Sequence, residues 1–119
     1  IPEVPRVGRY SHEDGRVILQ YLHERKQIPR CMVCGDDDIA MGLLKAAREY
    51  GIRIPEELAV IGFDDDVNAD YLCVPLTSVH QPLEEFGCLA VDYVLEKMND
   101  PGRQIQLTIE PKLIERSTT

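Results

Sequence analysis

The sequence is short of basic residues and contains no long apolar run. Its 119 residues include 13 Lys and Arg against 21 Asp and Glu, which gives a formal net charge of −8. We expect no binding of nucleic acid by these residues, because contacts with phosphates need a basic patch. No apolar run approaches the roughly 20 residues of a membrane-spanning helix, so no membrane association is expected either.

Complete metal and redox motifs are also missing. Cys31 and Cys34 form a Cys-x-x-Cys pair, but no second pair and no His-x-x-x-His follows. Residues three apart in a strand point to opposite faces. We therefore interpret all four cysteines as reduced core residues of a cytoplasmic protein and the histidines as ordinary surface or loop residues. We expect no cofactor and no metal site.

A secretory leader is not recognisable in the sequence. The chain opens at Ile1 rather than Met, which leaves room for a segment upstream. The 119 residues suffice for at most one domain with a core of its own.

The stretch Ile54–Asp66 organises the chain. A turn opened by Pro55 leads into the apolar run Leu58–Ile61, and Gly62-Phe63 then ends in the aspartates Asp64–Asp66. The run is too short for a helix and indicates a strand buried on both faces. Such strands are typical of parallel sheets covered by helices on both sides. Ligands bind just beyond the carboxyl ends of such strands, so Asp64 is placed at a candidate ligand site.

Helices and strands alternate along the rest of the chain. A Ser-x-x-acid capping box and an apolar face predict a helix from about Ser11 to Lys26. The other predicted elements are a strand at Cys31–Cys34, a helix from Asp36 to Gly51, a strand at Leu76–Val79, a helix Leu83–Met98, an alternating strand Gln104–Glu110 and an edge strand Lys112–Glu115. This alternation predicts an α/β fold with a mainly parallel sheet flanked by helices.

Two aspartate triplets, Asp36–Asp38 and Asp64–Asp66, each follow a predicted strand. They reach the same edge of the sheet if those strands are neighbours. Helix capping and solvated turns are one interpretation, and they suffice for Asp37, Asp38 and Asp66. The second is a Mg²⁺ site for phosphoryl transfer, since hard cations favour clustered carboxylates. The third is recognition of a polyol or similar ligand, whose hydroxyls need fixed acceptors. These residues alone leave the three open.

Five sequence blocks stand in a characteristic order between Ser11 and Ser117. They are Asp36-Asp37-x-x-Ala40-x-Gly42; Gly51-Ile52-x-Ile54-Pro55-Glu56-Glu57-Leu58-Ala59-Val60-Ile61-Gly62-Phe63-Asp64-Asp65; Pro75-Leu76-Thr77-Ser78-Val79-x-Gln81-Pro82; Gly87-x-x-Ala90; and Pro111-x-Leu113-Ile114-x-Arg116-Ser117. Together, and in this order, they resemble the lactose/galactose-repressor family of bacterial transcription regulators.

The resemblance implies that residues 1–119 are the C-terminal portion of an effector-binding domain, a fragment with a periplasmic-binding-protein-like lobe. It implies a small-molecule effector, expected to be a sugar, and no enzyme activity. DNA would be bound only through an N-terminal headpiece outside these residues. It further implies a homodimer, formed through the exposed side of the helix Asp37–Tyr50 and the loop Val67–Leu72. The helix Leu83–Met98 would belong to the other lobe and lack its partner here.

Site residues follow from the same resemblance. Asp64 resembles the family's effector-binding aspartate, and Asp36 stands where family members usually have Asn. Tyr10 lies close to the position of an aromatic residue that stacks on the ligand. Arg48 and Arg116 are interpreted as a solvated or dimer-contact residue and a salt-bridge partner, respectively. Two alternatives stay open: a fragment of a periplasmic sugar-binding protein and a Mg²⁺-dependent phosphotransfer domain.

Overall fold

Helices and strands alternate in the computed structural model, which describes residues 3–5, 8–104 and 106–119. The elements in these ranges are α1 (His12–Glu24), β1 (Cys31–Val33), α2 (Asp37–Tyr50), β2 (Ala59–Asp64), β3 (Thr77–His80), α3 (Leu83–Asn99) and β4 (Lys112–Ile114). The predicted α/β class is confirmed.

The four strands form one sheet in the order β1-β2-β3-β4. β1, β2 and β3 run parallel, with Val33 opposite Ile61 and Phe63 opposite Val79. β4 pairs antiparallel with β3 at the edge of the sheet. The sheet is therefore mainly parallel, as predicted. Because β1 and β2 are neighbours, the two aspartate triplets emerge at the same edge.

The core lies between α2 and one face of the sheet. Leu19 of α1, Leu43 of α2 and Val60 of β2 belong to one buried cluster. Along β2, Val60 and Gly62 are buried, whereas Ala59 and Ile61 remain partly exposed. The prediction of a strand buried on both faces was wrong. Both α1 and α2 contribute to the same core, so only one face of the strand is fully covered.

Both predicted helix starts are confirmed by their caps. The Ser11 side chain accepts a hydrogen bond from the Asp14 N–H, and the Asp36 side chain accepts one from the Asp38 N–H. Gly51 ends α2 with φ +70°, a left-handed conformation that glycine adopts without steric cost. Local sequence therefore determines the ends of these two helices.

The described residues of the predicted alternating strand Gln104–Glu110 do not form it. Residues 104 and 106–110 form no strand, and Ile105 lies outside the described residues. Alternating apolar and polar residues give a segment one apolar face. A strand also needs a neighbouring backbone for its hydrogen bonds. Within the described ranges, the predicted edge strand that follows is formed as β4 and pairs with β3.

The helix α3 has no buried residue. Phe86 and Met98, predicted on its inner face, are 59% and 74% exposed. The radius of gyration is 18.1 Å, well above the roughly 13–14 Å of a compact domain of this length. The described residues therefore bury no residue of α3, and a packing partner outside these residues stays a prediction.

Two glycines allow α1 and α2 to pack closely. A Cβ atom on Gly15 would overlap the Ile39 backbone of α2, and one on Gly42 would overlap the His12 backbone of α1. Each helix thus presents a glycine to the backbone of the other. The tight α1–α2 contact depends on these two positions having no side chain.

Replacing Gly42 by alanine is expected to lower the free energy of unfolding. The methyl group would push the helices apart, and overpacking of this kind costs about 1–3 kcal/mol. The gain in helix propensity, at most about 1 kcal/mol, does not offset it. Gly87 in α3 is the matched control, because nothing lies within 4 Å of its added Cβ.

The Gly87→Ala variant should be unchanged or slightly more stable. Urea unfolding followed by circular dichroism measures both variants. A Gly42→Ala protein as stable as the Gly87→Ala protein would contradict the close helix contact.

Candidate functional site

Asp64 is the last residue of β2 and lies at the carboxyl edge of the parallel strands. It is partly exposed, and its carboxylate accepts a hydrogen bond from the Gln81 side-chain amide. Gln81 follows β3 and lines a cavity of about 270 Å³ together with Phe63 and Phe86. Asp64 is thus bonded to a residue that lines this cavity, and its other carboxylate oxygen has no protein partner among the described residues.

The backbone at this edge has an unusual conformation. Asp64 has φ +108° and Asp65 has φ +57°. Residues other than glycine rarely adopt positive φ, and such conformations cost about 1–3 kcal/mol each. Surrounding interactions must hold this turn in place.

Asp37 supplies those interactions. The Ser78 hydroxyl donates to Asp37 Oδ1 at 2.7 Å, and the Asp66 N–H donates to Asp37 Oδ2 at 2.7 Å. The Asp65 N–H donates in turn to Ser78 Oγ at 3.1 Å. Gly62 leaves room for this arrangement, because an added Cβ would overlap the Asp37 carboxylate. Asp37 and Ser78 together bind the two backbone amides that follow Asp64.

The interpretation of Asp37 as part of a solvated helix cap was wrong. Its side chain is buried, with the residue only 2% exposed. Burial raises the pKa of Asp37 above the ordinary 3.8, and the hydrogen bonds from Ser78 and Asp66 oppose the rise. Sequence reasoning missed Asp37 because an acid in the first turn of a helix looks like any cap. Gly62 of β2, which leaves room for the Asp37 carboxylate, was the feature of the sequence that could have indicated a buried group there.

A second group of charges fixes Asp65. Arg116 Nη2 lies 2.8 Å from Asp65 Oδ1, and His80 Nδ1 lies 3.0 Å from Asp65 Oδ2. Arg116 also donates to the Leu76 carbonyl at 2.8 Å and lies 3.4 Å from Asp70. Arg116 is thus a salt-bridge partner, as predicted. His80 is a half-buried residue of β3 rather than an ordinary loop residue, and sequence spacing could not reveal its partner.

Asp36 and Tyr10 occupy less central positions. Asp36 caps α2, and its Oδ1 accepts the Asp38 N–H at 2.7 Å. Tyr10 is 63% exposed and has φ +49°. It lines a separate cavity of about 240 Å³ that includes Gly35, the residue before Asp36. The structure thus brings Asp37, Asp64 and Asp65 together. Tyr10 is near the exit of β1, in a cavity whose lining does not include Asp64.

The cysteines are not all core residues. All four are free thiols, and only Cys34 is buried. Burial, together with the nearby Asp37 and Asp36, raises the pKa of Cys34 to about 12. Cys31 is exposed because it points to the opposite face of β1, so the pair diverges as expected. The prediction of core burial was wrong for Cys31, Cys73 and Cys88, which lie in β1, in the loop after β2 and in the uncovered helix α3.

Two features are absent from the described part of the chain. No group of three or more His, Cys, Asp or Glu side chains there is arranged to hold a metal ion. None of the helices described there is both long enough and apolar enough to cross a membrane.

The outer side of α2 borders an apolar cavity of about 470 Å³. The lining residues are Met41, Leu44, Lys45, Arg48, Gly51, Ile52, Arg53, Ile54, Leu72, Cys73 and Val74. This cavity lies within the predicted dimer region, between α2 and the loop that follows β2. Arg48 is exposed at its edge, in keeping with its interpretation as solvated or at a dimer contact.

Replacing Arg116 by glutamine is expected to destabilise the fold by about 1.5–3 kcal/mol, the range for hydrogen bonds to charged groups. The Arg116 side chain is only 17% exposed, and its loss removes both its hydrogen bond to the Leu76 carbonyl and its ion pair with Asp65. Arg53→Gln is the matched control, since the Arg53–Glu57 pair is solvent-exposed and should matter little. Equal effects of both substitutions in urea unfolding would contradict a structural role for the buried pair.

Comparisons with known proteins agree on one type of domain. Residues 2–119 match the family model described as periplasmic binding protein-like domain. A curated relative, the HTH-type transcriptional repressor PurR of Edwardsiella ictaluri, is 37% identical over 110 residues, which are 92% of this chain and 32% of the relative. The chain therefore spans about a third of the length of the curated relatives it matches.

Solved structures show the same similarity. The lac repressor dimer bound to operator and the anti-inducer ONPF matches with a TM-score of 0.88 and 25% identity, over 94% of this chain and 39% of that one. A sugar-binding transcriptional regulator (LacI family) from Escherichia coli, complexed with phosphate, matches with a TM-score of 0.81 and 34% identity, over 94% and 40% of the two chains.

Proposed function

Because this chain belongs to the family of periplasmic binding protein-like domains, we propose that it is the effector-binding part of a bacterial transcriptional regulator. The resemblance to the lactose/galactose-repressor family is confirmed by the family match and by the relatives. The chain forms the C-terminal part of the effector domain, and α3 packs against a lobe built from residues outside it. Its effector is a small metabolite, with a sugar as the first candidate.

The position of Asp64 carries this proposal. A partly exposed carboxylate at the end of a parallel strand can accept hydrogen bonds from the hydroxyls of a ligand lying beyond the sheet edge. A ligand bound between two lobes stabilises one lobe arrangement over the other. That shift in population changes how the headpieces, which lie outside this chain, meet DNA. The protein acts in the cytoplasm.

The alternative functions find less support. A periplasmic sugar-binding protein would share the fold, but the relatives described above are transcriptional regulators. A Mg²⁺-dependent phosphotransfer site would need several free carboxylates at the sheet edge. Asp37 is instead bound to Ser78 and Asp66, Asp36 caps α2, and Asp65 is paired with Arg116. Of these acids, Asp64 is left to contact a ligand.

Asp64→Asn in the full-length regulator is expected to weaken effector binding roughly tenfold to a hundredfold. The lost charged acceptor is worth about 1.5–3 kcal/mol. Asparagine is preferred to alanine because it tolerates the positive φ of Asp64 better. A thermal-shift screen of sugars first identifies the effector, and calorimetry then measures its affinity for both proteins.

Asp66→Asn is the control for this measurement. The exposed Asp66 side chain lies in the same turn but accepts hydrogen bonds only from Asn68 in the part of the chain described. Its replacement should leave effector affinity unchanged. Unchanged affinity of a normally folded Asp64→Asn protein would remove Asp64 from the site.

We also propose a homodimer that uses the outer side of α2 and the loop after β2. The apolar cavity lined by Met41 and Leu72 lies there, and the exposed Tyr71 adds apolar surface that a monomer would leave in water. The basic side chains at its edge would form the polar rim that surrounds most interfaces.

Met41→Lys is expected to convert a dimer to a monomer in sedimentation equilibrium at micromolar protein, because a charge would enter the apolar contact. The exposed face of α3 offers a competing route of association, so Phe86→Lys serves as the control. Dissociation by Phe86→Lys alone, or a monomeric wild-type chain, would refute the proposed dimer surface.

A further inference from the structure

We propose that Asp37 is a positioning residue for Asp64: its buried carboxylate holds the turn that aims Asp64 at the effector. This inference rests on the proposed function, because it takes Asp64 as the contact with the effector. Asp37 itself is buried behind the sheet edge and does not touch the ligand. It acts through the backbone that follows Asp64.

The hydrogen bonds of Asp37 converge on this turn. One carboxylate oxygen binds the amide of Asp66 directly, and the other binds Ser78, which in turn accepts the amide of Asp65. The two amides immediately after Asp64 are therefore held by one carboxylate, directly and through one hydroxyl. The Gln81 amide holds the side chain of Asp64 from the other side.

The turn needs such support because its conformation is intrinsically unfavourable. Asp64 and Asp65 both have positive φ, which an unrestrained aspartate rarely adopts. Asp37 is the first residue of α2 and Ser78 belongs to β3, so the bonds connect the turn to two rigid elements. The direction of Asp64 is thus determined by side chains that are distant in sequence.

An asparagine could not replace Asp37 without loss. Both oxygens of Asp37 accept hydrogen bonds, whereas an amide group has one acceptor and one donor end. The N–H₂ group of asparagine would face either the Asp66 N–H or the Ser78 hydroxyl. The first arrangement opposes two donors, and the second forces the Ser78 hydroxyl to find another acceptor. In either arrangement a buried donor loses its acceptor, so Asp37→Asn weakens the restraint with little change in volume.

The test compares wild type, Asp37→Asn and Asp38→Asn by nuclear magnetic resonance on this chain. Asp38 is the matched control, since it is an exposed acid of the same helix turn and pairs with His12. In Asp37→Asn, hydrogen-exchange protection of the Asp65 and Asp66 amides should fall roughly tenfold or more, because the turn opens locally. The one-bond Cα–Hα coupling of Asp64, which distinguishes positive from negative φ, should shift towards negative φ. The Asp38→Asn protein should match the wild type.

A pH titration adds a readout that a general loss of stability would not produce. Burial, aided by the charges of Asp64 and Asp65, raises the pKa of Asp37. The Asp66 amide shift should therefore titrate in wild type with a midpoint above 3.8. Cys34 faces the same carboxylate, while Arg116 and His80 pair with Asp65 and remain in all variants. The transition should vanish in Asp37→Asn and persist in Asp38→Asn.

Two results would overturn the proposal. One is an Asp37→Asn protein in which the Asp64 coupling and the Asp66 protection stay as in wild type. The other is a uniform loss of protection across α1, α2 and the sheet, which would mean that Asp37 only stabilises the fold. No effector is needed for these measurements. Their outcome therefore stands apart from the affinity test of Asp64, which can fail while the turn is still held by Asp37.

Discussion

The Asp37 carboxylate connects the parts of the molecule that meet at the sheet edge. Removing a carboxylate from water is costly unless hydrogen bonds replace the lost hydration. Here the Ser78 hydroxyl and the Asp66 amide supply them, so the start of α2, the exit of β2 and the strand β3 are held in one arrangement. The glycine at position 62 follows from the same constraint, because a side chain there would occupy the space of the carboxylate.

This constraint separates the acidic residues into distinct roles. Asp36 caps a helix, Asp37 is internal structure, and Asp65 is paired with Arg116 and His80. Asp64 is partly exposed, and its one side-chain partner among the described residues is the Gln81 amide. Most carboxylates of a cluster that in sequence resembled a possible cation site are therefore bound to other groups of the protein.

Several surfaces of the chain are left uncovered. The chain corresponds to about a third of the length of its relatives, and α3 extends from the sheet with no buried residue. Cys31 and Val33 of β1 are exposed, and residues 104 and 106–110 form no strand, because neighbouring side chains or backbone are lacking among the described residues. The sequence patterns of α3 and of Gln104–Glu110 show which faces can be buried. Whether those faces are buried depends on the presence of a partner.

Local sequence determined much of the secondary structure of this protein. Ser11, Asp36 and Gly51 settled the helix ends, because caps act within one turn of the chain, and the alternation of elements predicted the mainly parallel sheet. The sequence also placed Asp64 at the edge of that sheet. Tertiary structure alone decided which acids are free, since Asp37–Ser78 and Asp65–Arg116 join residues 41 and 51 positions apart. It also decided that only one face of β2 is fully buried, because burial depends on what packs against a strand and not on the strand's own residues.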